Sequence, residues 1–129
     1  MIEQDSRAET VRWLPQVTDQ DLFVIVKMAH GLVFPSLAEG FGLPVLEAFA
    51  AQVPVITSDT TSLPEVAGDC AISVPAQDIE AITEAMRQLI DDSALCQTLK
   101  QKGLNRALQF SWDTCADSTL AVYQKILAR

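Results

Sequence analysis

Two glutamates, Glu39 and Glu47, bracket a loop that reads Gly40-Phe41-Gly42-Leu43-Pro44. The glycines flank Phe41 and permit backbone conformations closed to other residues. Pro44 suits the first turn of a helix, where a missing N–H leaves nothing unpaired. Before the loop comes the short apolar run Leu32-Val33-Phe34, ended by Pro35; after it come Val45, Leu46, Ala48, Phe49, Ala50 and Ala51, a face to bury. A strand, a tight glycine turn and a helix N-terminus aim free N–H groups and the positive end of a helix dipole at one spot, a setting for a diphosphate. Carboxylates beside a bare phosphate would repel it. An ionised carboxylate accepts two hydrogen bonds from a vicinal diol, however, so the acids and the turn together point to a ligand that carries both phosphates and sugars.

The stretch from Glu39 to Glu47, with seven residues between the two acids, resembles the E-x7-E motif of retaining, nucleotide-sugar-dependent glycosyltransferases of the GT-B fold. Phe34-Pro35-Ser36, Glu39-Gly40-Phe41-Gly42-Leu43-Pro44, Pro54-Val55-Ile56, Leu63-Pro64-Glu65-Val66 and Phe110-Ser111-Trp112 all fall in that family's order, across roughly residues 10 to 127. The resemblance implies that Glu39, as the catalytic-site acid, lies near the transferred sugar. Glu47 would contact the nucleotide ribose, and the backbone N–H groups of Gly40, Phe41, Gly42 and Leu43 would bind sugar or phosphate oxygens. It also implies transfer with retention at the anomeric carbon, with no cofactor and no essential metal. The partners would be a nucleotide-diphosphate sugar as donor and a glycan or glycoconjugate as acceptor, the latter bound through an N-terminal domain that this chain lacks.

Such a reaction needs positive charge to stabilise the departing diphosphate. By the resemblance, an arginine and a lysine earlier in the same domain supply it. None of the nine Lys and Arg here falls in the motif loop or in the two loops expected to border it. A helix dipole contributes only about half a charge. The chain by itself is therefore expected to be an incomplete transferase.

Composition sets the remaining bounds. With 129 residues, 49% apolar and 20% charged, there is room for one globular domain with a modest core. A formal net charge of -8 excludes a broad basic surface for nucleic acid or anionic membrane. No apolar run reaches the roughly 18 residues of a membrane-spanning helix. Met1-Ile2-Glu3-Gln4-Asp5 has neither a basic n-region nor an apolar h-region, so a secretory leader is not expected. Cys70, Cys96 and Cys115 are odd in number and contain no C-x-x-C pair, and read as reduced thiols filling space in a cytoplasmic protein. His30 stands alone, without a second histidine to make a metal set, and is assigned no catalytic role.

Stepping along the chain, residues 1 to 9 are polar and expected to fray. Val11-Arg12-Trp13-Leu14 reads as a strand closed by Pro15. Asp19 is expected to cap a helix from about Gln20 to Ala29. A strand near Leu32–Phe34, the motif loop and a helix over about Leu43–Ala51 follow, with Gln52 ending the helix. Val53–Thr57 reads as a buried strand, and Ser58-Asp59-Thr60-Thr61-Ser62 as the loop at its carboxyl end, the edge where α/β sheets bind ligands. Leu63–Ala67 is a short helix and Ala71–Val74 the last strand. Three helices follow, capped by Asp78, Ser93 and Ser111, the last carrying Trp112, Cys115, Thr119, Val122, Ile126 and Leu127 as its apolar stripe and Trp112 as a core anchor.

The fold expected is α/β: a partial Rossmann-like domain, the later portion of a GT-B C-terminal domain, with a short parallel sheet of four strands flanked by helices and a helical C-terminal part. Residues 1–129 would form one truncated domain. A half-sheet exposes an edge, so the alternative function is a non-catalytic scaffold that dimerises through that edge or pairs with a partner chain.

Overall fold

A computed structural model describes residues 10–128; the expectation for residues 1 to 9 lies outside them. The elements run α1 (Asp19–Met28), β1 (Leu32–Phe34), α2 (Leu43–Ala50), β2 (Val55–Ser58), α3 (Leu63–Ala67), β3 (Ile72–Val74), α4 (Ile79–Asp91), α5 (Ser93–Ala107) and α6 (Trp112–Leu127). The strands form one parallel sheet in the order β1-β2-β3, with Leu32 opposite Val55 and Ile56 opposite Ile72. The alternation of strand and helix thus gives the α/β layer expected of it.

Three strands stand where four were expected. Val11-Arg12-Trp13-Leu14 is not a strand, and Val11, Trp13 and Leu14 are exposed. Alternating apolarity makes a strand only where a neighbour supplies ladder hydrogen bonds. Within the described residues, β1 has β2 on one side only. Two caps also move by one residue. Thr18 rather than Asp19 accepts the Asp21 N–H at the start of α1, and Asp92 rather than Ser93 accepts the Leu95 N–H at the start of α5. Asp78 and Ser111 cap α4 and α6 as expected.

Alternate residues of β2 face opposite layers, the consequence of a period of two. Val55 joins Val45, Phe49, Leu63 and Val66 beneath α2 and α3, while Ile56 joins Val74, Ala85, Leu89, Cys96 and Leu99 beneath α4 and α5. The second half of α5 crosses to the first layer, where Ala107 packs against that cluster. At Gly103 a Cβ would lie 2.6 Å from Phe49 Cδ1, so only glycine lets α5 come this close to α2. His30 Nε2 and Cys96 Sγ both donate to the Leu89 carbonyl, at 2.6 and 3.0 Å, a structural role for each.

The helix α2 ends as Gln52 turns into the left-handed region at φ 59°. The Gln52 and Val53 N–H groups then donate back to Phe49 and Ala48 carbonyls, which satisfies the helix end. The two terminal helices differ from the centre. Neither α1 nor α6 contains a buried residue, and the stripe of α6 faces solvent throughout. Trp112 is 79% exposed and is therefore no core anchor.

Candidate functional site

The parallel register of β1 and β2 ends with Phe34 opposite Thr57. Their carboxyl ends therefore deliver two loops side by side: Pro35–Gly42 and Asp59–Ser62. The second is rich in hydroxyls, and these reach the backbone of the first. Thr60 Oγ1 donates to the Ser36 carbonyl at 3.3 Å. The Glu39 N–H donates to Thr61 Oγ1 at 3.1 Å. Ser62 Oγ bridges the carbonyls of Glu39 and Phe41 at 3.0 and 2.9 Å. Ser58, fully buried, adds a bond from its Oγ to the Ser36 carbonyl.

Thr61 holds this position at φ 54°, a left-handed conformation that a β-branched residue adopts at a cost of about 1–2 kcal/mol. Strain of this kind persists where the surroundings over-determine it. Here three hydrogen bonds that link Thr61 and Ser62 with Glu39 and Phe41 do so, one accepted by Thr61 and two donated by Ser62.

At the other end of the loop, Gly42 occupies φ 107°, ψ 41° and serves as the N-cap of α2. Its carbonyl accepts the Val45 N–H at 3.0 Å, and a Cβ added to it would sit 2.7 Å from Leu63 Cδ2. Glycine is thus required at 42 on two counts. At 40 it is not: the backbone there is outside the positive-φ region, and an added Cβ would meet nothing within 4 Å. Pro44 sits in the first turn of α2, as expected.

The sequence-derived site residues occupy one continuous span. Glu39 is half-buried between the hydroxyl contacts of the neighbouring loop, Gly40 and Phe41 form the exposed tip, Gly42 makes the turn and Leu43 begins α2. Glu47 lies on the exposed face of α2, one turn after Leu43 and on the same side, while Val45, Ala48 and Phe49 point into the core. Among the described residues, the N–H groups of Gly40, Phe41, Gly42 and Leu43 make no hydrogen bond. Four consecutive donors thus stand free at a helix N-terminus between two carboxylate-bearing residues, an arrangement able to hold anionic and hydroxyl oxygens together.

An apolar groove of about 490 Å3 opens beside this span. Phe41, Leu43, Leu46, Phe110, Trp112 and Cys115 line it, and neither glutamate does. It is therefore a separate feature from the carboxylate-flanked loop. Phe41 enters it edge-on to Phe110, with ring centroids 6.0 Å apart and planes at 87°. The Arg106 guanidinium lies 4.9 Å from the other ring's centroid and donates to the carbonyls of Val66 and Glu65 at 3.0 and 2.6 Å. A cation from the far end of the chain is thereby brought within two side chains of the loop, with one donor on Gln109 and two on the end of α3. Among the described residues, no group of three or more acidic, histidine or cysteine side chains is placed to hold a metal ion.

The sequence places the Ser58–Ser62 loop at the ligand-binding edge of the sheet and Phe110 in a motif block, but it assigns no individual role to Ser58, Ser62, Arg106 or Phe110. The signal for the hydroxyls was present in the run Ser58-Asp59-Thr60-Thr61-Ser62, because two adjacent parallel strands must lay their carboxyl-end loops together.

Residues 1–106 match the family of glycosyl transferases group 1. The chain belongs to the group 1 glycosyl transferases. It is 39% identical over 124 residues to the O-antigen chain mannosyltransferase B of Escherichia coli, covering 96% of this chain and 32% of that protein. It is 37% identical over 117 residues to an MMP alpha-(1->4)-mannosyltransferase of Mycolicibacterium hassiacum, covering 88% and 28%. In structure it resembles the sucrose-phosphate synthase of Thermosynechococcus elongatus, with a TM-score of 0.81 and 30% identity over 93% of this chain and 31% of that one. Its fold is that of a GT-B glycosyltransferase C-terminal domain. The chain spans about a third of the length of the relatives it matches. No helix among the described residues is long and apolar enough to cross a membrane.

Proposed function

We propose that this chain forms the donor side of a retaining glycosyltransferase that moves a hexosyl group from a nucleotide-diphosphate sugar to a glycan or glycoconjugate acceptor. The observation that carries the reading is the row of four free N–H groups at the Gly42 turn, flanked by Glu39 and Glu47. In this reading Glu39 acts at the transferred sugar and Glu47 accepts hydrogen bonds from the ribose hydroxyls. The N–H groups of Gly40, Phe41, Gly42 and Leu43 bind sugar and phosphate oxygens, and no metal is required. Mannose is the first sugar to test, since two of the relatives are mannosyltransferases. The free thiols of Cys70, Cys96 and Cys115 suit a reducing cytoplasm.

Lysine and arginine are missing from residues 35–43 and 58–62. The span by itself thus stabilises a departing diphosphate only through N–H groups and a helix dipole. Donor binding without transfer is the expected behaviour of the 129-residue chain alone. Titration with UDP-, GDP- and ADP-sugars, followed by amide NMR, tests this. Saturable shifts confined to residues 36–47 and 57–65, lost in Glu47→Ala and Glu39→Ala, support the donor site. No shift with any nucleotide, or transfer by the isolated chain, would overturn the respective half of the reading.

A second reading rests on a different observation. Leu22, Phe23, Ile25 and Met28 of α1 are exposed, and β1 is paired on one side only among the described residues. These features favour a scaffold that pairs with itself or with a partner chain. A strictly monomeric chain in light scattering would count against it.

A further inference from the structure

The loop tip at Phe41 lies between two glycines, so its backbone has little stiffness of its own. Two contacts restrain it. Ser62, just before α3, donates to the Phe41 carbonyl at 2.9 Å. Phe110, 69 positions further along the chain, meets the Phe41 ring edge-on at 6.0 Å. Phe110 is itself placed by Arg106, whose guanidinium lies 4.9 Å from the ring centroid. Arg106 has little freedom. It donates to Val66 and Glu65 carbonyls at the end of α3, at 3.0 and 2.6 Å, and to Gln109 Oε1 at 2.6 Å. Both restraints on Phe41 thus lead to α3, one to its beginning and one to its end.

We propose that Phe110, held by the Arg106 guanidinium, is a positioning residue for the Glu39–Leu43 loop, acting through the Phe41 ring and touching no substrate itself. The binding consequence rests on the donor-site reading above; the ordering of the loop does not. A planar cation over one ring and an edge-to-face contact with the next are directional, so the pair fixes where Phe41 sits as well as burying it. With Phe41 fixed, the N–H groups on either side of it keep one orientation. Loss of one such aromatic contact should weaken a ligand that depends on that orientation about three- to tenfold.

The test uses the full chain, labelled with nitrogen-15, as parent, Phe110→Leu, Phe110→Tyr and Arg106→Gln. Backbone order parameters of Glu39–Gly42 are measured without ligand, and affinities are then measured with UDP-, GDP- and ADP-sugars. In Phe110→Leu and Arg106→Gln the loop order parameters should fall from the rigid range near about 0.85 toward about 0.6, while those of β2 and α4 hold. Phe110→Tyr, which keeps the ring, should restore both order and affinity. Phe110 is half-buried at the groove, so its replacement by leucine leaves the two core clusters intact should Arg106→Gln fail to fold. Unchanged loop order in Phe110→Leu, or an equal loss across β2 and α4, would overturn the proposal. If the parent binds no sugar nucleotide but the loop still loosens, the positioning role stands and the donor reading falls. If the parent binds and Phe110→Leu neither loosens nor weakens it, the donor reading stands and the positioning role falls.

Discussion

Replacing Gly42 and Gly40 in turn separates a glycine that the fold needs from one that it does not. At Gly42 the backbone stands at φ 107°, and an added Cβ would come within 2.7 Å of Leu63 Cδ2. A Cβ in a left-handed conformation costs about 1–2 kcal/mol. Leu63 is fully buried, so relieving the close contact by moving its methyl group adds about 1–3 kcal/mol of overpacking. Part of the second charge is avoided because a methyl group is the movable end of a side chain, so Gly42→Ala should destabilise by about 2–4 kcal/mol in total. At about 4 °C per kcal/mol for a domain of this size, the melting temperature should drop by about 8–16 °C. Gly40→Ala meets open space at an ordinary φ and should stay level or gain up to about 1 kcal/mol, because it stiffens the unfolded chain. Urea and thermal melts followed by circular dichroism measure both variants. A Gly42→Ala melt within about 2 °C of the parent, or equal losses at the two positions, would refute the account of the turn.

Two further variants test the packing around the site. Gly103→Ala gains about 1 kcal/mol of helix propensity but drives a Cβ to 2.6 Å from the ring of buried Phe49, for about 1–3 kcal/mol of overpacking, so a net loss of up to about 2 kcal/mol is expected. In Phe49→Leu the same substitution should cost at least about 0.5 kcal/mol less in urea melts, and strictly additive losses would show that α5 does not seat α2 through this contact. Lys102 Nζ, 2.6 Å from Asp69 Oδ2, donates a hydrogen bond that holds the Asp69 carboxyl below its ordinary value, while the carboxylate raises the lysine. The depressed acid stabilises above the unfolded carboxylate value near about 3.9 and loses this as pH falls through its lower folded value; the raised lysine stabilises below about 10.4 and loses this as pH rises through its higher folded value. The melting difference between parent and Asp69→Asn should therefore be small, level across neutral pH, reduced by salt, and closing toward strong acid. A difference that widens as the pH drops below about 4 would contradict it.

The central elements were legible because local and tertiary signals agree there. Leu32–Phe34, the Gly42-Leu43-Pro44 turn and α2 carry their strand, cap and helix signals within a few residues, and the core then uses them as they stand. Where the outcome depends on a neighbour, sequence reasoning failed. Val11–Leu14 has the alternation of a strand but no adjacent ladder, and Trp112 has the apolar bulk of an anchor but no layer to enter. Gly40 looked as necessary as Gly42, since φ cannot be read from a glycine's identity. Of the site, the acids and the turn could be named in advance. The hydroxyl loop could be placed beside them, but not its individual pairings, because its members sit 21 to 24 residues from the carbonyls and N–H they meet.

That separation also explains why so small an element as α3 matters to the loop. A five-residue helix does not persist by itself, since its nucleus costs more than so few hydrogen bonds return. It is held from outside by burial of Leu63, Val66 and Ala67, by a proline in its first turn and by Arg106 on its last carbonyls. Its first flanking residue, Ser62, then fixes Glu39 and Phe41, and its last carbonyls fix Arg106 and through it Phe110. The orientation of the four free N–H groups therefore depends on the core beneath α3 as well as on the turn at Gly42. Substitutions that loosen α3 without touching the loop, such as Val66→Ala with a loss of about 1–3 kcal/mol on truncating a buried side chain, should disturb the loop amides of Glu39–Leu43 before those of α4. Amide spectra of that variant in which α4 shifts and the loop does not would break this chain of dependence.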